Sequence, residues 1–193
     1  MAETAKKVAK IGLDQFQYAK LGDDDKVTSK DDVKPIPGLQ SAKLTVTMDS
    51  EPIYADNGPY LIMNSGITEL GLEVGIVNIS SDDRVALLGI ELENGVEVYK
   101  KDITPPYTAV TFRFKMTDGT YGYYGLVKGQ FSLPSPDLAT QADKNEAQTD
   151  TIEGNFVDRN SVMYYIGIED QEGFDKEQFM AMVFGYEYTP PSS

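Results

Sequence analysis

Short runs of alternating apolar and polar residues dominate this sequence of 193 residues, and glycine, proline, asparagine and aspartate separate the runs. Alternation with a period of two places successive side chains on opposite faces of a strand, whereas sustained helical periodicity is scarce here. The clearest strand begins at Thr108 and leads to the turn signal Asp118-Gly119, after which a return strand runs from Tyr121 to Phe131. The pattern predicts a mainly antiparallel β protein.

The other strand predictions follow from the same alternation. In the strand that begins at Thr108, one predicted face is apolar and the other is polar; the apolar members are Val110, Phe112, Phe114 and Met116, and the polar members are Thr111, Arg113, Lys115 and Thr117. A second hairpin is predicted at Asn94-Gly95, between residues 90–93 and 96–100. Residues 42–48 and 70–79 also alternate, and we expect all of these strands to be half-buried.

Two helices are predicted from their capping residues. Ser80 or Ser81 can cap a first helix over 82–88, where Asp82 and Asp83 lie at the positive end of the helix dipole and Gly89 ends the helix. Asp175 can cap a second helix over 176–184 that ends at Gly185, although the same apolar run is also compatible with a strand. We favour the helix.

The length predicts a single domain over residues 1–193. Two polar segments, residues 22–37 and 132–151, are too long for tight turns, and loops of that length in a compact domain are usually functional or disordered. A C-terminal arm is possible from about residue 186. A chain of this size buries enough surface to fold without disulfides or metals.

The composition excludes several classes of chemistry. Without Cys and His, the chain has no thiolate nucleophile, no zinc-thiolate site and no imidazole base. The formal charge of −14 argues against tight nucleic-acid binding, because affinity for phosphates comes mainly from Lys and Arg. Catalysis would therefore depend on carboxylates, lysine, tyrosine or a hard metal.

The N-terminus carries Lys6, Lys7 and Lys10, but no apolar signal-peptide core follows them. No stretch approaches the roughly 18 apolar residues of a membrane span. We therefore expect synthesis in the cytoplasm, where the protein stays unless an assembly carries it out.

Three groups of residues could carry chemistry, and for each the simpler interpretation is favoured. Asp23, Asp24, Asp25, Asp31 and Asp32 lack the EF-hand spacing, which favours a solvated acidic loop over a calcium site. Glu91 and Glu93 share one strand face, whereas the two acids of a glycosidase usually come from separate elements. No catalytic, cofactor-binding or metal-ligating residue is assigned, and no cofactor is expected.

Tyrosines form the third group. A platform for sugar rings could be built from Tyr121, Tyr123, Tyr124, Tyr164, Tyr165, Tyr186 and Tyr188. Tyrosine is also a common strand residue, and the absence of tryptophan weakens the sugar-binding interpretation. An acidic carbohydrate-binding β-sandwich module remains the first alternative function, and a carboxylate-based hydrolase is the second.

Several segments in order resemble one family. They are KVAKIGLDQFQYAKL (7–21), PIPGLQSAKLTV (35–46), DSEPIYADNGPY (49–60), ITELGLEVGIVNISSDDRVALLGIEL (67–92), PPYTAVTFRFKMTDGTYGYYGLVKGQFSLPSP (105–136) and ATQADKNEAQTDTIEGNF (139–156). The chain resembles the major tail tube proteins of long-tailed, non-contractile (siphovirus-type) bacteriophages and prophages of Gram-positive bacteria. The segments that carry the resemblance run from about residue 7 to 156.

The resemblance implies a sandwich-like or barrel-like fold of two packed antiparallel β-sheets with a flanking helix. It also implies a non-enzymatic virion protein whose homohexameric rings stack into a hollow tail tube. DNA passes through such a tube without specific binding, and no membrane is involved. By resemblance, the expected partners are further copies of the chain and the tape measure, tail terminator and distal tail proteins.

Two expectations follow for the assembled state. A ring of six copies would carry six times the formal charge of −14, and acids that face the lumen would keep DNA mobile. Segments 22–37 and 132–151 are candidates for contacts between rings. On that hypothesis, deletion of residues 23–29 leaves a folded monomer that no longer stacks.

Overall fold

The computed structural model describes residues 8–55, 58–133 and 149–190, with the side chains of all these residues except Ala55, Pro59 and Ser65. The protein is mainly β: of the described residues, 53% are in strands and 12% in helices. The strands in the described part are β1 (Lys10–Lys20), β2 (Lys34–Ile36), β3 (Leu39–Ala55), β4 (Gly58–Ile76), β5 (Glu91–Glu93), β6 (Val96–Val98), β7 (Thr108–Met116), β8 (Tyr121–Phe131), β9 (Asp150–Phe156) and β10 (Tyr164–Ile168). The helices are α1 (Ser81–Leu88), α2 (Lys176–Phe184) and a short 3-10 helix, Lys30–Asp32.

Eight strands form one large antiparallel sheet in the order β2-β1-β7-β8-β9-β4-β3, and β10 pairs with β8. Strand β8 is shared, because residues 122–126 pair with β10 and residues 129–131 pair with β9. Strands β5 and β6 form a second, small sheet. The predicted class, a mainly β fold with two antiparallel sheets and a flanking helix, is confirmed; the two sheets are of very unequal size, and the large one is not a closed barrel.

The main hydrophobic core brings together strands from distant parts of the large sheet. Phe16 and Tyr18 of β1 pack in the same buried cluster as Leu70 and Leu72 of β4, although these strands are far apart in the sheet order. The sheet therefore folds over itself, which produces sandwich-like packing. Leu87, Leu88 and Ile90, in and after α1, close this core.

Helix α2 covers the opposite face of β7 and β8. Phe179, Val183 and Phe184 pack there with Ala109 and Tyr123 in a second buried cluster. The prediction of a polar, half-exposed face on β7 is therefore wrong at Thr111, which is 1% exposed. A buried threonine hydroxyl needs a hydrogen-bond partner, and the Thr111 hydroxyl donates to Gln17 Oε1 at 3.5 Å.

Both predicted helices are confirmed, together with their caps. Ser80 caps α1, accepting a hydrogen bond from the backbone N–H of Asp83, and Gly89 ends it at φ 69°. Asp175 caps α2 in the same way through Gln178, and Gly185 ends it at φ 82°. The strand alternative for 176–184 is thereby excluded.

The predicted hairpins are confirmed, and several strands were missed. Residues 108–131 form β7 and β8, residues 91–98 form β5 and β6, and residues 42–48 lie within β3. The strand predicted over 70–79 stops at Ile76. Strands β1, β2, β9 and β10 and the far halves of β3 and β4 were not predicted from alternation.

The polar segment 22–37 is attached to the body of the protein. It contains the 3-10 helix and β2, and the Val27 side chain is 2% exposed in the cluster under α2. The Asp25 carboxylate accepts a hydrogen bond from Lys128 Nζ at 2.7 Å, and the Val27 N–H donates to the Phe184 carbonyl. Deletion of residues 23–29 would remove these contacts, so we expect it to lower the stability of the monomer in addition to any effect on stacking.

The other two predicted segments are only partly described. In segment 132–151, residues 134–148 lie outside the described residues. After Gly185, the C-terminal segment follows α2 closely, and the Tyr188 hydroxyl donates to the Asp175 carboxylate at 3.0 Å. Tyr186 and Tyr188 therefore lie against the body, and residues 191–193 are outside the described part.

Candidate assembly surface

The far halves of β3 and β4 form a long two-stranded ribbon. Beyond Leu70, where pairing with β9 ends, β4 pairs only with β3 among the described strands. We call residues 48–55 and 58–67 the β3–β4 arm; its register runs from Met48 opposite Ile67 to Ala55 opposite Gly58. Eight residues of strand extend roughly 25 Å.

Both faces of this arm carry exposed apolar side chains. Ile53 pairs with Leu61, and the next pair, Pro52 with Ile62, points to the opposite face. The exposed fractions are 42% for Ile53, 70% for Tyr54, 77% for Tyr60, 54% for Leu61, 61% for Ile62 and 56% for Met63. Because an isolated two-stranded ribbon is marginally stable in water and large exposed apolar patches mark interaction sites, another molecule is expected to cover the arm.

The arm also has two unpaired edges within the described structure. Strand β3 pairs with β4 and with no other described strand, and residues 58–69 of β4 have no described partner on the side away from β3. Unpaired edges present rows of N–H and C=O groups that can pair with another chain. Pro52 lies on β3, consistent with its place at a sheet edge.

The charge of the arm has a single sign. No Lys or Arg occurs between Lys43 and Arg84, whereas this stretch contains seven acidic residues: Asp49, Glu51, Asp56, Glu69, Glu73, Asp82 and Asp83. Asp49 and Glu51 are exposed on β3. Any surface that receives the arm must therefore accommodate carboxylates as well as apolar groups.

Sequence reasoning gave residues 49–60 only as part of a family resemblance and did not find the arm. Two signals were present in the sequence: the apolar run Tyr60-Leu61-Ile62-Met63 and the cation-free stretch around it. Alternation could not reveal the arm because both of its faces are apolar.

The acidic candidates are spread over the surface. Asp25 is bound by Lys128, the Asp24 carboxylate accepts from the Lys26 N–H, and Asp32 completes a capping box with Ser29. Within the described residues, no group of three or more acidic side chains is arranged to hold a metal ion. Glu91 and Glu93 are exposed on β5, and Glu91 forms an ion pair with Lys100.

The seven tyrosines do not form one platform. Tyr124 and Tyr164 pack on the main core, whereas Tyr121, Tyr123, Tyr165 and Tyr186 pack on the cluster under α2, and Tyr188 bonds to Asp175. Burial and a hydrogen bond to Glu169 raise the pKa of Tyr123 to about 12, as expected for a structural tyrosine. The structure therefore separates the side chains on which the sugar-binding alternative depended.

Near the start of β1, the exposed end of the sheet is basic. Lys10 Nζ lies 4.4 Å from the centroid of the Phe114 ring, and Lys115 lies opposite Gly12 in the β1–β7 register. The neighbouring Arg113 makes two hydrogen bonds with the Asp14 carboxylate, at 2.8 and 2.6 Å. These bonds hold the pKa of Asp14 below its usual value.

Comparisons with known proteins place this chain in no family, because no family model and no curated protein matches it. A similar solved structure is a chain in the cryo-EM structure of the anti-feeding prophage (AFP) baseplate, 6-fold symmetrised. The similarity has a TM-score of 0.39 and 15% sequence identity, and it covers 86% of this chain and 97% of that chain. None of the helices in the described ranges is long and apolar enough to cross a membrane.

Proposed function

We propose that this protein is a non-enzymatic structural virion protein that self-assembles into stacked rings, with six copies in each ring. The stacked rings form a phage tail tube through which DNA reaches the host. Assembly takes place in the bacterial cytoplasm, and the finished protein resides in the virion tail. The observation that carries this proposal is the β3–β4 arm, which is apolar on both faces.

The exposed apolar side chains of the β3–β4 arm give it the energetic properties of an interface that lacks its partner. Full burial of a large apolar side chain contributes about 1.5–3 kcal/mol, so covering six half-exposed side chains on each arm would supply a large driving force. Part of that gain is offset by the loss of translational and rotational freedom on association. An arm with two apolar faces and two unpaired edges is suited to contacts with more than one neighbour.

The symmetry of such contacts favours rings and tubes. An arm that docks on a different surface of the next copy makes a heterologous contact, which closes into a ring or continues as a filament. The formal charge of −14 supports the role of a conduit, since carboxylates repel phosphates and a mobile DNA must not adhere to the wall. Tape measure, tail terminator and distal tail proteins are the proposed partners at the core and the ends of the tube.

The test is negative-stain electron microscopy of concentrated wild-type protein, with light scattering on the same sample. We expect rings or hollow tubes. The double variant Ile53→Ser, Leu61→Ser removes two paired apolar side chains from one arm face and should remain monomeric at concentrations where the wild type assembles.

A matched control is Leu92→Ser, Val96→Ser, which removes two exposed apolar side chains, 41% and 62% exposed, from the small β5–β6 sheet. This control should assemble like the wild type. A wild-type chain that stays monomeric on concentration and also fails to add to preformed tubes would overturn the proposal.

A further inference from the structure

The unpaired edges of the β-sheets differ in how well they are protected against pairing with another chain. Natural proteins place charged residues or proline on an exposed edge, because these discourage a second chain from adding a strand. Most unpaired edges in the described sheets carry such residues: Lys10 and Asp14 on β1, Lys34 and Pro35 on β2, Lys43, Asp49, Glu51 and Pro52 on β3, Glu91 and Glu93 on β5, and Glu97 on β6. An edge without this protection is expected to be covered in the working state of the protein.

Two edges lack this protection. Residues 58–68 of β4 include no charged residue, and β10 (Tyr164–Ile168) includes neither a charged residue nor a proline. The single proline of β4, Pro59, is the second residue of the strand. Among the described strands, this part of β4 pairs only with β3, and β10 pairs only with β8. In a chain with a formal charge of −14, these two edges can meet without bringing carboxylates together.

The backbone of β10 offers hydrogen-bonding groups to a further strand. In an antiparallel pair, alternate residues bond to the neighbouring strand, and the residues between them point away from it. The Glu169 N–H donates to the Tyr121 carbonyl at 3.0 Å, which fixes this alternation at the end of β10. The N–H and C=O groups of Tyr164 and Ile166 therefore point away from β8, toward a side where no other described strand pairs.

The side chains at the centres of the two edges also match. Tyr164 packs on the main hydrophobic core, so Ile166, two positions later, lies on the same face of the sheet. Leu44 packs on that core as well, and alternation along β3 places Pro52 on its face, with Ile62 opposite Pro52. Ile62 and Ile166 are 61% and 49% exposed. In a joined sheet, the two isoleucines can form an apolar cross-strand pair on the core side.

We propose that the free edge of β4 in one copy adds to the free edge of β10 in a neighbouring copy, which joins the large sheets of the two copies. Ile62 is central in residues 60–64 and Ile166 is central in β10, so they lie opposite each other in either strand direction. This inference rests on the proposed self-assembly and specifies its contact. Since the two edges are different surfaces, every copy both donates an edge and receives one.

Proline at residue 166 tests the backbone part of this contact. Ile166→Pro removes an N–H that points away from β8, so the bonds between β8 and β10 remain. We expect the protein concentration required for assembly to rise by about tenfold or more. Ile166→Thr keeps the N–H and a β-branched side chain, and its effect should be smaller. Urea unfolding of each monomer checks the fold, and a folded proline variant that assembles like the wild type would overturn the contact.

Paired charges test the same contact without proline. The variants Ile62→Lys, Ile166→Glu and Ile62→Glu, Ile166→Lys both keep the net charge of the wild type. They should assemble at a concentration about tenfold lower than Ile62→Glu, Ile166→Glu and Ile62→Lys, Ile166→Lys, because like charges directly opposite each other repel. If the opposite-charge and like-charge variants assemble equally well, the contact is overturned.

A matched control moves the second charge to Ile11, which is 60% exposed on β1. Ile62→Lys, Ile11→Glu and Ile62→Glu, Ile11→Lys again keep the net charge. Their like-charge counterparts carry two lysines or two glutamates at the same positions. The sign of the charge at residue 11 should not change assembly by more than net charge does. An effect as large as that at residue 166 would overturn the contact.

Cross-linking tests the geometry with uncharged variants. The chain contains no cysteine, so Ile62→Cys and Ile166→Cys each introduce a single thiol. When the two variants are mixed and treated with a short bismaleimide, we expect about tenfold more dimer than either gives alone, because docked thiols react at a high effective concentration. Ile62→Cys mixed with Ile11→Cys should give only the background level. If Ile62→Cys alone gives as much dimer as the mixture, β4 pairs with β4 and the contact is overturned.

The outcomes separate the contact from the proposed function. Rings or tubes without the mixed cross-link would overturn the contact and leave the tail tube proposal standing. A specific cross-link without rings or tubes would support the contact and overturn the tube. The absence of both would overturn both.

Discussion

Gly125 shows how closely single residues fit in this fold. A Cβ at Gly125 would lie 2.2 Å from Cγ2 of Val183 in α2, too close for a normal contact. The strand therefore allows the helix to approach only because this position has no side chain. We expect Gly125→Ala to lower the free energy of unfolding by about 2 kcal/mol, measured by urea denaturation of the monomer.

A double-mutant cycle identifies the cause. If the clash with Val183 is responsible, Gly125→Ala and Val183→Ala together should destabilise the protein by clearly less than the sum of the two single effects. If the two single effects are additive, the clash with Val183 is not the cause, and the destabilisation by Gly125→Ala comes from the backbone of the strand.

The Asp14 carboxylate gives a second prediction at this scale, because Arg113 lowers its pKa. A carboxyl with a lower pKa in the folded state than in the unfolded state stabilises the fold above the unfolded value of about 3.9. This stabilisation is lost as the pH falls through the folded-state pKa.

The stability difference between wild type and Asp14→Asn should therefore be constant near neutral pH and shrink below about pH 4. Urea unfolding at pH 7 and at steps below pH 4 measures it. A difference that persists unchanged in acid would show that the hydrogen-bond geometry matters and the charge does not.

At the scale of elements, the sequence predicted those strands in which alternation coincides with burial. Residues 108–131 were found because one face packs on the core and Asp118-Gly119 marks the turn. Strand β9 was missed although Ile152, Gly154 and Phe156 alternate as buried residues, because a glycine takes the middle apolar position. The burial of Thr111 could not be predicted, since it depends on α2, which comes 65 residues later in the chain.

The candidate site was harder to predict for a physical reason. Periodicity identifies surfaces that a chain buries within itself, whereas Ile53, Leu61 and Ile62 are exposed in the single chain. Two apolar faces cancel the alternation that one buried face would produce. The local charge signal, with no cation between Lys43 and Arg84, was the better indicator.

Arg159 joins several elements through one guanidinium group. Its nitrogens donate to the carbonyls of Asp25, Val127, Met182 and Val183, at 3.1, 3.4, 2.6 and 2.8 Å. The group thereby fixes the end of α2 to β8 and to the segment before β2. Burial lowers the pKa of Arg159, and no carboxylate is bonded to it within the described residues.

We expect Arg159→Met to lower the free energy of unfolding by about 3 kcal/mol, because four carbonyls lose a charged donor. Arg159→Lys keeps the charge but not the planar fork, and its effect should be intermediate. Thermal and urea unfolding measure both. If Arg159→Lys is as stable as the wild type, a positive charge at this position is sufficient for the stabilisation and the planar guanidinium group is not required.

At the scale of the whole molecule, the body and the β3–β4 arm should behave as separable parts. Residues 51–63 have exposed side chains wherever these are described, and within the ribbon they pair only with one another. Ser50 pairs with Asn64, so an Asn-Gly turn can join these two positions in a short hairpin. Replacement of residues 51–63 by Asn-Gly should therefore preserve the free energy of unfolding of the monomer within about 0.5 kcal/mol.

The same truncation should abolish assembly, because it removes Ile53, Leu61 and Ile62 from the interface. Sedimentation and electron microscopy at the wild-type assembly concentration measure this effect, and urea unfolding below that concentration measures stability. A large loss of monomer stability would show that the arm packs on its own body. Tubes from the truncated chain would show instead that assembly depends on other surfaces, since the body alone would then supply every contact that the tube needs.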